Sequence, residues 1–313
     1  MALKKVSDEE IISAMKRFGS TQKAAEHVGI STRAFGLRKA KIQTEQGISL
    51  PAYSASQKIH HKTFIPEDRR VLEHKVENGM VFIGSDAHYW PDQITIAHKA
   101  FVSLIKEYKP KTVIMNGDVV DGARISRHEP LMGTNPPTPK KEIEACRDRL
   151  DEVRNATKNA VFLWTIGNHD VRLHRYIAVN APEIGDMLSL WDYFPGWHHG
   201  WRIDINGSVV IKHRWHNGIH STWNNALKSG RSIVTGHLHQ LRSTPFSDYD
   251  GRRWGVDAGT LAEPYGEQFT YTEMNPVNWC SGFAVLTFEN GKLLPPELCE
   301  VIDGVAYFRG QRV

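Results

Sequence analysis

Five short polar segments hold the residues of this chain that are best suited to chemistry. They combine carboxylates, imidazoles and an asparagine, and they lie at 86–88 (Asp-Ala-His), 117–121 (Gly-Asp-Val-Val-Asp), 167–170 (Gly-Asn-His-Asp), 213–220 (histidine-rich) and 236–239 (Gly-His-Leu-His). Imidazole and carboxylate ligands suit manganese, iron and zinc ions. The residue types therefore indicate a metal centre.

Each polar segment directly follows an apolar run, at 80–84, 112–115, 161–166, 209–211 and 232–235. Short apolar runs of this kind predict buried strands. Helical periodicity at 94–108 and 141–158 alternates with them, which indicates a layered α/β fold. Polar side chains at strand ends are then expected to converge on one rim of a sheet.

As an ordered set, the five segments resemble the calcineurin-like metallophosphoesterase superfamily, which includes phage protein phosphatases, purple acid phosphatases and double-strand-break repair nucleases. The resemblance spans residues 81–239. It implies an α/β, four-layer sandwich in which two mixed sheets are flanked by helices, with strands near the C-terminus completing the second sheet.

The resemblance also implies a dinuclear metal site, most simply with two Mn²⁺ ions, with iron or zinc as alternatives. Two such ions about 3.5–4 Å apart can clamp a phosphate and activate a bridging water. Carried over by position, the first ion would take Asp86, His88 and His239, the second would take Asn168, His237 and one histidine of the 213–220 stretch, and both would share Asp118.

Two residues of the third segment are expected to act without binding metal. His169 would face the substrate and protonate the leaving oxygen, and Asp170 would hold its other ring nitrogen. Asp121 is expected to support a ligand or to cap a helix.

The fourth segment leaves two histidines open as the remaining ligand. His213 lies nearest the expected strand tip, whereas His216 better fits a histidine close to a glycine. We favour His213.

The segment after Asp121 departs from the pattern of protein phosphatases, which have an arginine and a glycine there. This chain has Gly-Ala-Arg-Ile-Ser-Arg-His at 122–128, so that signature is not met. Arg124 and Arg127 remain candidates for binding the phosphate of a substrate.

The first fifty residues carry all of the excess positive charge of the chain. They hold nine Lys or Arg and five Asp or Glu, while the net charge of the whole chain is +4. A basic module on a neutral body suggests that the module seeks a polyanion.

Helix-start signals at Ser7 and Ser31, and a glycine turn at Gly29, predict three short helices here. This pattern resembles the helix-turn-helix units of phage and bacterial regulators. The third helix would offer DNA four basic side chains, namely Arg33, Arg38, Lys39 and Lys41. A helical docking or oligomerisation module is the alternative. The predicted domains are a helix-turn-helix at 1–48, a linker at 49–78 and a metallophosphoesterase domain at 79–313.

Hydropathy and cysteine content indicate the cellular compartment in which the protein is expected. No apolar stretch is long enough to span a bilayer, and the first residues lack the apolar core of a signal peptide. The three cysteines form no close pair, so a reducing cytoplasm is expected, that of the host if a phage encodes the chain. The oligomeric state stays open.

The leading functional hypothesis is a metal-dependent phosphoesterase that hydrolyses phosphodiester bonds, with the basic module delivering it to DNA. One alternative is a phosphomonoesterase acting on phosphoprotein or nucleotide. A second is a DNA-binding regulator whose phosphoesterase body is a non-catalytic scaffold.

Overall fold

The computed structural model describes residues 6–18, 20–48, 50, 71–127, 134–273 and 275–313. The chain divides into two compact units, residues 1–64 and residues 65–313, which we call the N-terminal and C-terminal units.

The N-terminal unit contains the three expected helices, α1 (Asp8–Phe18), α2 (Thr21–Val28) and α3 (Thr32–Gln46). Ser7 and Glu10 form a reciprocal capping box at the start of α1, since each side chain accepts the backbone N–H of the other. Gly29 turns the chain after α2 with a φ of +75°. The three helices bury a small shared core that includes Ile11, Met15, Ala24 and Phe35.

The C-terminal unit begins earlier than the sequence predicts. Strand β1 (Val71–His74) lies within the predicted linker, yet it pairs in parallel with β6 (Arg202–Ile205). Val76 is buried in the core of the unit as well. The last residues of the predicted linker are therefore part of a sheet, while residues 51–70 lie outside the described part of the chain.

The described residues of the C-terminal unit form two mixed sheets, and the larger has nine strands. In spatial order they are β15 (Gln311–Arg312), β14 (Val305–Phe308), β13 (Glu297–Ile302), β11 (Gly282–Glu289), β2 (Gly79–Gly84), β3 (Thr112–Met115), β4 (Val161–Thr165) and β5 (His198–Gly200), with β12 (Lys292–Leu293) paired to β11. Strands β2 to β5 are parallel, and β11 runs antiparallel to β2.

The smaller sheet has six strands. Their spatial order is β1, β6, β7 (Val209–Ile211), β8 (Ser232–Thr235), β10 (Gly251–Asp257) and β9 (Arg242–Asp248). Strands β7, β8 and β10 are parallel neighbours.

Apolar side chains of the two sheets form one buried cluster, in which Val81 and Ile114 of the larger sheet join Ile203 and Ile211 of the smaller. Helices α4 (Ile96–Tyr108) and α5 (Pro139–Ala156) cover the other face of the larger sheet. Helix α7 (Ser221–Ser229) packs on β8, β9 and β10 of the smaller sheet. The predicted four-layer sandwich is thereby confirmed.

A further helix, α6 (Arg172–Asn180), follows β4 and is succeeded by two short 3-10 turns, Pro182–Met187 and Leu190–Tyr193. In the described part of the chain, no helix has both the length and the apolar character needed to cross a membrane.

Candidate metal centre

The carboxyl ends of five strands supply the polar residues of the site. Strands β2, β3 and β4 of the larger sheet lead into the segments at 86–88, 117–121 and 167–170. Strands β7 and β8 of the smaller sheet lead into the segments that begin at 213 and 236. Because neighbouring parallel strands end at the same rim, the five segments meet although they are far apart in sequence.

The backbone at this rim is unusual. Five of the seven predicted ligands have positive φ angles between 39° and 70°, a region that few residues other than glycine adopt, and they are Asp86, His88, Asp118, His237 and His239. Strained backbone of this kind persists only where surrounding structure holds it, and it clusters at functional sites. Here the N–H groups of Asp86 and His88 donate to the carbonyls of Gly117 and Asp118, at 3.0 Å each.

We call Asp86, His88 and His239 the first half-site. Their potential ligand atoms all lie within 4.8 Å of one another. The Nε2 of His239 is 3.0 Å from the Oδ1 of Asp86, and all three residues are buried. The peptide N–H of His237 donates to the other carboxylate oxygen of Asp86, at 2.8 Å, which fixes that carboxylate in place.

We call Asp118, His213 and His237 the second half-site, and its ligand atoms also lie within 4.8 Å of one another. The Nε2 of His213 is 3.0 Å from the Oδ2 of Asp118 and 4.0 Å from the Oδ1 of Asp86, so this ring bridges the two half-sites. Its Nδ1–H donates to the carbonyl of Asn116, at 2.8 Å.

The structure brings His213 to this rim and leaves His216 away from it. A side-chain carbon at Gly117 would collide with the His213 ring, so the glycine makes room for it. His216 is half-buried, its peptide N–H donates to Asn225, and its ring packs on Trp215.

The donor set fits divalent cations. The side-chain oxygen of Asn168 is buried and accepts no hydrogen bond from any described residue. Leaving a buried acceptor unpaired costs about 1–3 kcal/mol, which a bound cation would offset. Glycines at 167 and 236 leave space for the carboxylates of Asp118 and Asp86, since a side-chain carbon at either would collide with them.

The buried charges perturb one another strongly. Burial alone would raise the pKa of Asp86, but the adjacent His213 and His239 lower it to about 2. Burial alone would lower the pKa of His213, but the carboxylates of Asp118 and Asp86 raise it to about 10. Burial and the charge of His213 together lower the pKa of His237 to about 4. Without metal the centre therefore holds a proton on His213.

The support of His169 differs from the expected one. Its Nδ1 lies 3.0 Å from the Oδ1 of Asp121, and its peptide N–H donates to Asp118 at 2.7 Å. Asp170 does not contact this ring, because its carboxylate accepts the backbone N–H groups of residues 118–120 and 167 and the indole N–H of Trp164. The expected contact between Asp170 and His169 is corrected to one with Asp121.

Asp121 supports two histidines at once. Its Oδ1 also lies 2.8 Å from the Nδ1 of His88, which leaves the Nε2 of His88 for a ligand. Burial alone would raise the pKa of Asp121, but hydrogen bonds from His169 and His88 hold it well below its usual range. Asp121 is thus an ionised carboxylate shared by the first half-site and His169.

The arginine that the structure places beside His169 is Arg172. Its Nη1 donates to the carbonyl of Asp121 at 2.8 Å, and its Nη2 lies 3.2 Å from the Nε2 of His169. Arg124 instead donates to Asn135 and to the carbonyl of Pro136, and Arg127 is exposed. The position of Arg172, three residues after His169 at the start of a helix, is a signal that could have identified it.

An aromatic cluster from the C-terminal part of the chain also borders the first half-site. The ring of Phe269 lies 5.2 Å from that of His88, and the ring of Trp279 lies 4.6 Å from that of His239. The sequence interpretation missed both residues, because nothing local connects residues 267–279 with the polar segments. The aromatic content of that stretch was the available signal.

Comparison with known families agrees with this geometry. The model of the family described as "Calcineurin-like phosphoesterase" matches residues 81–259, more than half of the chain. The chain belongs to the calcineurin-like phosphoesterase family. It is therefore a metal-dependent phosphoesterase, and its Asp and His clusters are suited to divalent metal ions.

Several solved structures are similar to the chain. An archaeal phosphodiesterase is 16% identical, covers 71% of this chain and 99% of its own, and gives a TM-score of 0.39. The phosphoesterase YfcE from E. coli is 15% identical over 69% of this chain and 97% of its own, with a TM-score of 0.34. The Pseudomonas putida nuclease MPE is 15% identical over 69% and 86%, with a TM-score of 0.29. No curated protein sequence matches the chain.

Proposed function

We propose that this phosphoesterase hydrolyses phosphodiester bonds of nucleic acid with two divalent ions, most simply Mn²⁺. Two ions are proposed because two three-residue half-sites converge on one rim. His213 lies within 4.0 Å of a carboxylate from each half-site. When bound, such a pair of ions would supply Lewis acidity to a phosphate and to a water molecule.

In this proposal the first half-site would hold one ion, and His213, His237 and Asn168 would hold the other. Asp118 is the shared carboxylate. It is buried, and burial alone would raise its pKa, but the neighbouring His213 and His169 keep that pKa well below its usual value. An ionised carboxylate between two imidazole-rich half-sites is the ligand that a pair of cations requires.

His169 is the proposed general acid. Burial alone would lower its pKa, but the charges of Asp118 and Asp121 raise it overall, which favours the protonated ring at neutral pH. Asp121 fixes the ring through Nδ1, and Nε2 lies 3.2 Å from the Nη2 of Arg172. Donation of an Nε2–H proton to the leaving oxygen therefore requires Arg172 to turn from the ring to the substrate phosphate. Asp170 contributes by fixing the loop at residues 118–120 rather than by touching the ring.

Arg172 is the proposed phosphate contact of the C-terminal unit. Its guanidinium is half-buried beside His169 and can reach an oxygen of a phosphate there. Arginine is favoured at phosphate groups because its planar guanidinium can donate two parallel hydrogen bonds. Arg124 is engaged by the loop at 135–136, so it and the exposed Arg127 are proposed only as outer contacts along a longer substrate.

The N-terminal unit is proposed to bind DNA through helix α3, as a helix-turn-helix. Arg33 is exposed, and Arg38 is paired with Asp8 at 3.1 Å while Lys41 faces Glu45 at 3.7 Å. Exposed pairs of this kind contribute little, about 0–1 kcal/mol, so a DNA phosphate can replace them. Lys39 completes the proposed basic surface.

The test of the catalytic proposal is a substrate comparison. Purified protein loaded with Mn²⁺ should hydrolyse bis-p-nitrophenyl phosphate and DNA faster than p-nitrophenyl phosphate. Hydrolysis of the monoester alone would instead establish a phosphomonoesterase. Metal content measured on the same samples should approach two ions per chain.

The test of DNA binding uses the combined variant Arg33→Ala, Arg38→Ala, Lys39→Ala. Loss of three phosphate contacts should weaken DNA binding and reduce the salt dependence of affinity by roughly three in logarithmic slope. Hydrolysis of bis-p-nitrophenyl phosphate is the control and should be unchanged. Unaltered DNA binding would make the N-terminal unit a docking module.

A further inference from the structure

A cluster of three aromatic side chains, Phe269, Tyr271 and Trp279, extends from the first half-site toward solvent. Its base is Phe269, which is 2% exposed and packs edge-on against His88 with ring centroids 5.2 Å apart. The same ring lies 5.7 Å from that of His239. Phe269 is thus in direct contact with two proposed metal ligands.

Two further aromatic rings stand on Phe269. Trp279 packs on it at 5.0 Å with an interplanar angle of 69°, and Tyr271 packs at 6.2 Å with an angle of 85°. Edge-to-face contacts of this kind favour defined ring orientations. Tyr271 is nevertheless 60% exposed, so its ring packs on Phe269 while much of its surface faces solvent.

Tyr271 is one ring removed from the first half-site, because the Phe269 ring on which it packs also packs on His88 and His239. Partial burial and the charge of Asp121 raise the pKa of Tyr271 to about 12, although the charge of Arg172 opposes this. The side chain therefore lies between the first half-site and the open surface. A group attached to a phosphate at the centre would lie within reach of its ring.

We propose that Tyr271 and Trp279, supported by Phe269, form a stacking site for the nucleobase attached to the scissile phosphate. Aromatic side chains stack on the bases of single-stranded nucleic acid with little regard to sequence, because every base has a π-face. This inference rests on the proposed phosphodiesterase function and adds the substrate class: a nucleotidyl phosphodiester with an unpaired base next to the cleaved bond.

The test compares two diesters that share a leaving group, thymidine 5′-p-nitrophenyl phosphate and methyl p-nitrophenyl phosphate. Their ratio of kcat/KM reports the contribution of the nucleoside, because the nitrophenyl group is common to both, and the change of that ratio on removal of the Tyr271 ring reports stacking. Stacking is worth about 1–3 kcal/mol per base, so Tyr271→Ala should reduce that ratio by about 5-fold to 150-fold. Tyr271→Phe keeps the ring and should preserve the ratio.

Tyr249→Ala is the matched control, because Tyr249 is fully exposed in the turn between β9 and β10. It should leave both substrates unaffected. As a binding measurement, inhibition by thymidine 5′-monophosphate should weaken in Tyr271→Ala by a similar factor, while inhibition by inorganic phosphate should not change.

Two outcomes overturn the stacking site while leaving the phosphodiesterase intact. One is an equal loss on both substrates in Tyr271→Ala, and the other is a loss in Tyr271→Phe as large as in Tyr271→Ala, which would assign the effect to the hydroxyl. If the unmodified protein hydrolyses neither diester, the proposed function itself fails.

Discussion

The two half-sites have the same composition, one carboxylate and two imidazoles, but different support. In the first, His88 is held by the carboxylate of Asp121 at 2.8 Å, and the same oxygen also holds His169. In the second, His213 is held by the neutral carbonyl of Asn116. His88 of the first half-site thereby shares a carboxylate with the ring of the proposed acid, whereas the Nδ1 of His213 in the second is held by a backbone carbonyl. Chemically similar ligands are thus held by groups of different charge, a carboxylate for His88 and a neutral carbonyl for His213.

The difference is visible in the proton affinities. Burial lowers the pKa of His88, although its hydrogen bond with Asp121 opposes this. The pKa of His213 is raised to about 10, because Asp118 and Asp86 outweigh its burial. Without metal, the second half-site therefore holds a proton at neutral pH, and a cation arriving there must displace it.

The largest effect is expected at Asp118, the residue proposed to be shared by both ions. Asp118→Asn removes the negative charge between the half-sites, so we expect bound metal to fall from two ions toward one. Activity should fall on the order of 10⁴-fold or more, since both ions are needed to bind and activate the reactants. Metal analysis and kcat/KM on bis-p-nitrophenyl phosphate measure this, and retention of two ions would remove Asp118 as the shared ligand.

A smaller loss is expected at the acid beside the first half-site. His169→Ala should lower kcat by roughly 10²–10⁴-fold, the usual share of general acid catalysis, with both ions still bound. The loss should be greater for esters with poor leaving groups than for p-nitrophenyl esters, because only poor leaving groups need the proton. An equal loss for both kinds of ester would give His169 a different role.

The asymmetry of support predicts an asymmetric loss of metal affinity. Asp121→Asn should weaken the first half-site by about 10- to 100-fold, as is typical when the partner of a ligating histidine is changed. The affinity of the second half-site should stay unchanged in a stepwise calorimetric titration. Asp303→Asn, in an exposed turn, is the control. Equal weakening of both sites would contradict the comparison.

The mildest test concerns the stability of metal-free protein. The pKa of His213 is raised to about 10 in the folded state from about 6.5 in the unfolded state. Its contribution to the free energy of unfolding is therefore complete below about pH 6.5. That contribution is lost as the pH rises through the folded value. The Tm of chelator-treated protein should therefore fall between pH 7 and 10, as the free energy of unfolding decreases by a few kcal/mol.

His213→Gln should flatten the Tm profile in this window, whereas His88→Gln should not. Mn²⁺ should also flatten it, because the cation replaces the proton. A steep fall that persists in His213→Gln would assign the proton to another group.

Much of the fold could be predicted because its signals are local. The apolar runs gave the strands before each polar segment, and serines and a glycine marked the ends of the short helices. The start of the C-terminal unit was misplaced, because β1 is a short strand of alternating exposure whose pairing with β6 is a long-range event. Local propensity carries little information about such pairing.

The sequence by itself determined the order and the ligand types of the five segments, since these follow from residue chemistry and from strand periodicity. Only the tertiary structure decided which side chains meet. It brought His213 rather than His216 against Asp118, Asp121 rather than Asp170 against His169, and Arg172 rather than Arg124 to the rim. The physical reason is that these choices depend on backbone direction and packing between distant strands, where a left-handed residue or a missing side-chain carbon redirects a whole segment.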